Sequence, residues 1–170
     1  MKNKIVTTTI NSPLGSLLAG TTAKGICLLE FEDQQRASRQ LNTVARILKA
    51  EVVEGSHEYL DALQQQLSDY FNSEQTTFCL PLDLAGTEFQ VTVWNALMTI
   101  PYGTKRSYSE QAQFIEKPNA VRAVGKANGD NRISIVIPCH RVVGKSGKLT
   151  GYGGGLWRKK KLLELESRHR

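Results

Sequence analysis

The chain has 170 residues, 40% hydrophobic and 22% charged, which is ordinary for a soluble globular protein of one or two small domains. No stretch approaches the roughly 18–20 apolar residues that cross a bilayer, and the start Met1-Lys2-Asn3-Lys4 leads into no export signal, so a cytoplasmic location is expected. The net charge of +6 is uneven: residues 1–85 carry 7 Lys and Arg against 10 Asp and Glu, while residues 86–170 carry 15 against 6. A net −3 half beside a net +9 half points to a surface that meets a polyanion, the alternative being a basic solvated face with no partner.

In chain order, residues 4–10 are mostly β-branched and read as a strand, closed by the turn Asn11-Ser12-Pro13-Leu14-Gly15. Residues 16–20 and 25–31 read as two more strands, with Cys27 inside the second as plain core. Asp33 is positioned to cap a helix carrying Ala37, Leu41, Val44 and Leu48 on one stripe. A second helix from about Ser56 buries Leu60, Leu63, Leu67 and Phe71, with His57 on the surface of its first turn. Residues 76–84 read as extended, with Cys79 packed, and the domain boundary is expected around Gly86.

Beyond it, Thr87-Glu88-Phe89-Gln90 is a capping box opening a helix that bears Phe89, Val93 and Leu97, stopped by Pro101-Tyr102-Gly103. Ser107-Tyr108-Ser109-Glu110 is a second capping box, opening a short helix to about Ile115. Lys117-Pro118-Asn119 breaks the chain, and Ala120–Asn128 forms the next helix. Two short helices across a tight turn make a helix-turn-helix candidate. The second is built of Ala120, Ala123, Gly125 and Ala127, with Arg122 and Lys126 four apart on one face. Small residues permit close approach to a groove and cations answer phosphates; a tightly packed interior helix with two solvated cations is the duller reading.

Of the cysteines Cys27, Cys79 and Cys139 and the histidines His57, His140 and His169, only Cys139 and His140 are neighbours. Their sparse spacing argues against a disulfide framework and against a metal site, so no metal is expected. Residues 132–143 read as two β-rich runs flanking Pro138-Cys139-His140, where proline must end the ladder or force a bulge. A thiol at such a break is well placed to line a pocket. On an extended chain adjacent side chains point to opposite faces, so His140 is not expected to touch the Cys139 sulfur directly. A bridging water, or rotation by the proline turn, would connect them. A free thiol is only a few per cent thiolate near neutral pH, so some activation is required.

Ile137-Pro138-Cys139-His140-Arg141-Val142-Val143 resembles the active-site signature of the O6-alkylguanine-DNA alkyltransferases, the methylated-DNA–protein-cysteine methyltransferases. The resemblance extends through Thr87-Glu88-Phe89-Gln90, Pro101-Tyr102-Gly103, Ser107-Tyr108, Ala120–Gly125, Asn131, Thr150-Gly151-Tyr152 and Gly154-Gly155. That ordered set is far more specific than any one piece. Residues 1–85 fit the family's variable amino-terminal domain in length and pattern only. The implied fold is α+β: a small α/β amino-terminal domain over 1–85 on a mostly antiparallel sheet, and a mainly helical carboxyl-terminal domain over 86–170. The latter carries a winged helix-turn-helix, its β element near Arg141–Leu149.

The resemblance also implies roles. Cys139 is the alkyl acceptor, His140 the base that reaches it through water, Glu166 the group that orients His140, and Asn131 the brace of the site's turn. Arg122 fills the space left by an extruded nucleotide, with Ala123, Gly125 and Lys126 on the DNA-facing helix. Tyr108 contacts phosphate and donates toward the guanine, while Val142, Tyr152 and Gly153 line the base pocket. The implied activity is stoichiometric transfer from O6 of guanine, and from O4 of thymine, in double-stranded DNA, by a protein monomeric off DNA. It involves no cofactor, metal or membrane. Each role has a plainer counterpart: Glu166 pairing with Arg170 four residues on, Tyr152 as packing, Gly153–Gly155 as a flexible turn. Two departures stand out. Arg132 follows Asn131 where the family often has proline, and Gly153 follows Tyr152 where many members have serine. Two other classes fit parts of the pattern. A DNA-binding regulator would not need Cys139, and a Cys–His thiol hydrolase would turn over repeatedly without DNA.

Overall fold

The computed structural model describes residues 3–33 and 35–168, and the chain divides at Gly86/Thr87 into two compact units. The class is α+β.

In the first unit, strands β1 (Asn3–Ile10), β2 (Leu17–Thr21) and β3 (Ile26–Phe31) pair antiparallel in sequence order. A fourth strand, β4 (Ala50–Glu54), pairs parallel with β1, giving the order β3-β2-β1-β4. β4 was not expected, because Ala50-Glu51-Val52-Val53-Glu54 is too short and too charged to show a buried face. It forms an edge, where only one ladder is needed.

Helix α1 (Arg36–Leu48) places Ala37, Gln40 and Val44 inward, and Leu41 and Leu48 are half-buried against the core of Ile5, Cys27 and Leu28. Asp33 does not cap it. The N-cap is Gln35, with no side-chain bond, because Glu32 and Asp33 lie in a turn and the helix begins only at Arg36. Arg36 instead answers the wholly buried Glu30 of β3, Nε to Oε2 at 3.1 Å.

Helix α2 (Glu58–Phe71) is capped by His57, whose Nδ1 accepts from Tyr59 N–H at 3.0 Å, so His57 is a half-buried N-cap and not a first-turn surface group. Leu60, Leu63 and Leu67 are buried as expected, but the stripe ends on Tyr70 and leaves Phe71 half-exposed. Tyr70 wins the position because its ring packs between Phe71 and Phe78, at 5.2 and 5.5 Å.

Residues 76–84 form no strand of the sheet; Leu82 makes an isolated parallel bridge with Ile26. A Cβ on Gly25 would stand 2.5 Å from the Pro81 carbonyl, so glycine is required where this segment docks. Cys79 is exposed, contrary to expectation: its backbone N–H and carbonyl bond to the Gln66 side chain, and the thiol is not what holds it.

The second unit begins with α3 (Glu88–Leu97), and both expected capping boxes are present. Thr87 Oγ1 accepts from Gln90 N at 3.1 Å while Gln90 Oε1 accepts from Thr87 N at 2.9 Å. Ser107 and Glu110 do the same at 3.0 and 2.9 Å, opening α4 (Tyr108–Phe114). A turn leads to α5 (Val121–Gly129).

Trp94, fully buried on α3, donates its indole N–H to the Ala127 carbonyl of α5 at 2.9 Å. Gln111 of α4 donates to the Val93 carbonyl at 3.2 Å. Each of the two short helices is thereby tied to α3 by a hydrogen bond, alongside the buried Ala112, Val124 and Ala127.

Residues 132–137 are not a strand. They form a buried turn in which Ile135 adopts φ 73°, despite a β-rich sequence. The whole segment is buried and its backbone bonds close locally, Val136 N–H to the Ser134 carbonyl at 2.8 Å and Ile137 N–H to the Ile133 carbonyl at 3.0 Å, which overrides β propensity here. Cys139–Arg141 is a single 3-10 turn, and the β element shrinks to β6 (Val142–Val143), parallel to β5 (Arg106–Ser107). Helix α6 (Leu156–Arg168) ends the described chain. Among the described residues no helix is long and apolar enough to cross a membrane.

Candidate active site

Cys139 begins the 3-10 turn and is partly exposed. Its Sγ lies 3.2 Å from Asn131 Nδ2, which also donates to the Ile137 carbonyl at 2.9 Å, while Asn131 Oδ1 accepts from Ile133 N at 2.9 Å. One buried asparagine therefore closes the irregular turn 131–137 upon itself and aims an N–H at the sulfur. Because the chain turns tightly at Cys139, the opposite-face argument for an extended segment does not apply.

His140 is completely buried, and its Nε2 stands 2.7 Å from Glu166 Oε2. An ionised carboxylate only accepts, so Nε2 carries the proton and Nδ1 the free lone pair. Nδ1 finds no hydrogen-bond partner among the described residues.

Glu166 is gripped from several sides. Arg141 donates through Nε to Oε1 at 2.8 Å and through Nη2 to Oε2 at 3.0 Å, and Gly103 N–H reaches Oε1 at 3.4 Å. Arg141 is itself anchored by Nη1 to the Ile100 carbonyl at 2.7 Å. Burial pushes the Glu166 carboxyl up, but the His140 hydrogen bond and the Arg141 pair outweigh it and hold the group well below the usual carboxylate range. Burial pulls His140 below its ordinary value; Glu166 opposes this, and Arg141 and Lys159 reinforce it. The resting ring is therefore neutral near pH 7.

A second cluster stands on the glycine-rich loop. Lys159 is fully buried and donates to the carbonyls of Thr150 at 2.7 Å and Gly151 at 3.3 Å. Its Nζ lies 5.9 Å from the Tyr108 ring centroid. Burial pulls this amine down to about 8, with the negative charge of an ionised Cys139 pulling the other way. Tyr108 Oη is 3.4 Å from the Thr150 carbonyl, and its ring flanks Gly125 of α5 at 3.8 Å from where a Cβ would stand. Among the described residues no group of three His, Cys, Asp or Glu could hold a metal ion.

Two family models cover the chain almost end to end. The 6-O-methylguanine DNA methyltransferase ribonuclease-like domain matches residues 5–84, and the DNA binding domain of the same family matches residues 88–168. The chain belongs to the 6-O-methylguanine DNA methyltransferase family. A methylated-DNA–protein-cysteine methyltransferase of Mycobacterium leprae is 45% identical over 92% of this chain and 89% of its own. That of Mycolicibacterium paratuberculosis is 64% identical over 105 residues, 62% of this chain; the match spans 64% of the relative's length. The crystal structure of the Mycobacterium tuberculosis O6-methylguanine methyltransferase superposes with a TM-score of 0.81 at 43% identity, covering 99% of this chain and 94% of that one.

For this family member the structure joins Asn131 to Cys139 and His140 to Glu166. It puts Arg122, Ala123 and Lys126 on the exposed face of α5, with Val124, Ala127 and Asn128 inward. Lys126 pairs with Asp130 at 3.2 Å in a largely exposed contact. Val142 is buried in β6, while Tyr152 and Gly153 are half-buried in the loop before α6. The suggested Glu166–Arg170 pair involves a residue outside those described, and Glu166 is already taken by Arg141. Sequence reasoning missed Arg141 and Lys159. Arg141 sat inside the quoted motif without a role. Lys159 was hidden in the run Arg158-Lys159-Lys160-Lys161, which reads as solvated charge. Its signal was helical spacing: Lys159, Leu162 and Glu166 share one face of α6, and all three are buried.

Proposed function

We propose that the chain repairs alkylated DNA directly, moving an alkyl group from O6 of guanine, and from O4 of thymine, in double-stranded DNA to Cys139. It acts once per molecule, in the cytoplasm and as a monomer off DNA. The observation that carries this reading is a partly exposed thiol held by Asn131 beside a buried, neutral His140 whose proton is pinned on the Glu166 side. The family's named activity agrees with that chemistry.

In this reading residues 86–170 hold both the chemistry and the DNA contacts, with α4, α5 and the β6 segment acting as a winged helix-turn-helix. Phosphate contacts suffice for binding, since the lesion occurs in any sequence. The target base leaves the stack at a cost of about a few kcal/mol, and Arg122 of α5 fills the space. Ala123 and Gly125 allow the close approach, and Lys126 adds to the phosphate contacts. Val142, Tyr152 and Gly153 receive the everted base.

Nδ1 of His140 then takes the thiol proton through a water, and Glu166 stabilises the resulting imidazolium. The thiolate attacks the alkyl carbon. A carbon–sulfur bond forms, the carbon–O6 bond breaks, and its electron pair stays on the guanine. A proton donated from the Tyr108 side neutralises that charge and leaves an unmodified guanine; Tyr108 is reprotonated from solvent and the His140 imidazolium releases its proton there, so overall the guanine gains the proton the thiol lost. The product thioether has no good leaving group, so the protein is consumed, and no cofactor enters.

The test is intact mass spectrometry after incubation with a duplex containing O6-methylguanine. One added methyl, mapped to Cys139, is expected. Repeated turnover, or labelling of Cys27 or Cys79 in its place, would overturn the assignment.

A further inference from the structure

The segment Thr150–Gly155 contains glycine at 151, 153, 154 and 155, so its own sequence does little to hold one conformation. Its shape is imposed by three consecutive residues of α6. Lys159 holds the carbonyls of Thr150 and Gly151 at the loop's start. At its end, Arg158, only 3% exposed, donates Nη1 to the Gly154 carbonyl at 3.0 Å. The Trp157 ring lies against Gly155, within 3.2–3.3 Å of where a Cβ would stand, at a backbone φ of 99°. The Arg158 guanidinium covers that ring at 4.5 Å. Trp157 is 52% exposed, so it adds little to the core of the unit; its contacts are with the loop and the neighbouring guanidinium.

We propose that Trp157, stacked on Arg158 and Gly155, latches the glycine loop and thereby sets the size of the O6 substituent the pocket admits. This rests on the alkyl-transfer reading above. Only Tyr152 and Gly153 lie between the two anchored ends, and these are the loop residues assigned to the base pocket. A latched loop keeps that stretch close over the substituent, which favours a methyl group. Releasing the Gly155 end gives a bulky group room and costs the methyl group its fit. Trp157 is a positioning residue in this scheme, acting through the loop.

The experiment compares wild type, Trp157→Ala and Trp157→Phe in single-turnover transfer from duplexes carrying O6-methylguanine or O6-benzylguanine. Hydrogen exchange of the 150–155 segment is followed in the same proteins. Trp157→Ala is expected to raise the benzyl-to-methyl rate ratio about fivefold or more, with faster exchange in the loop. Trp157→Phe, which keeps a ring over Gly155, should return both toward wild type. An unchanged ratio overturns the proposal, whether or not exchange changes, and so does an equal loss on both substrates. Wild type that alkylates Cys139 from neither duplex would instead bring down the underlying reading.

Discussion

Arg141 and Glu166, 25 positions apart, meet fork to fork, with Nε–Oε1 at 2.8 Å and Nη2–Oε2 at 3.0 Å, and Glu166 is wholly buried. The pair is the keystone between the 3-10 turn that carries Cys139 and helix α6. It keeps the carboxylate ionised, so that one oxygen can still receive His140.

Removing one partner strands the other. Arg141→Met takes the guanidinium from the buried carboxylate, leaving it His140 and the Gly103 N–H, and should lower stability by about 3–5 kcal/mol, read from urea unfolding. The double variant Arg141→Met, Glu166→Met should be far less destabilised than the sum of the single changes. Simple additivity would mean that the pair is not coupled in solution.

Glu166→Gln keeps the shape and removes the charge. His140 then loses the group that opposes burial, so its ring should remain neutral to even lower pH, visible in imidazole nitrogen shifts. The transfer rate should fall by about 10²–10⁴-fold, with duplex binding little changed. A rate within twofold of wild type would remove the orienting role.

Lys159 gives a signed pH dependence. Its amine titrates at about 8 in the folded chain against an ordinary 10.5, so between those values the unfolded state binds more protons. Stability from this group therefore rises as pH climbs through that window, and the burial penalty on the charged amine is felt fully below it. Lys159→Met should flatten the slope of unfolding free energy against pH above 8. The wild-type minus variant difference isolates this residue from the other groups that titrate there. Parallel curves would show that the amine is not shifted.

Arg122 is exposed on α5. Arg122→Ala should slow repair in duplex by about tenfold or more, in keeping with a base-flipping cost of a few kcal/mol. Reaction with free O6-benzylguanine should stay within about twofold, since no base needs extruding there. Comparable losses on both would remove the extrusion role.

Strands β1–β3, both capping boxes and the paired short helices were legible in the sequence alone. Each of these rests on local rules: alternation, reciprocal bonds three residues apart, and helix breakers between periodic runs. It failed at 132–137, where β-rich residues fold as a buried turn because Asn131 supplies the bonds a strand would take from a neighbour. It also failed at β4, whose parallel partner residues on β1 lie 47 positions earlier. The contacts of Arg141 and Lys159 were decided by the tertiary structure, the helical spacing of Lys159 with Leu162 and Glu166 giving only its face of α6. A charged side chain reads as solvated until packing shows what encloses it, and only the docking of α6 brings Glu166 to Arg141 and Lys159 to the loop carbonyls.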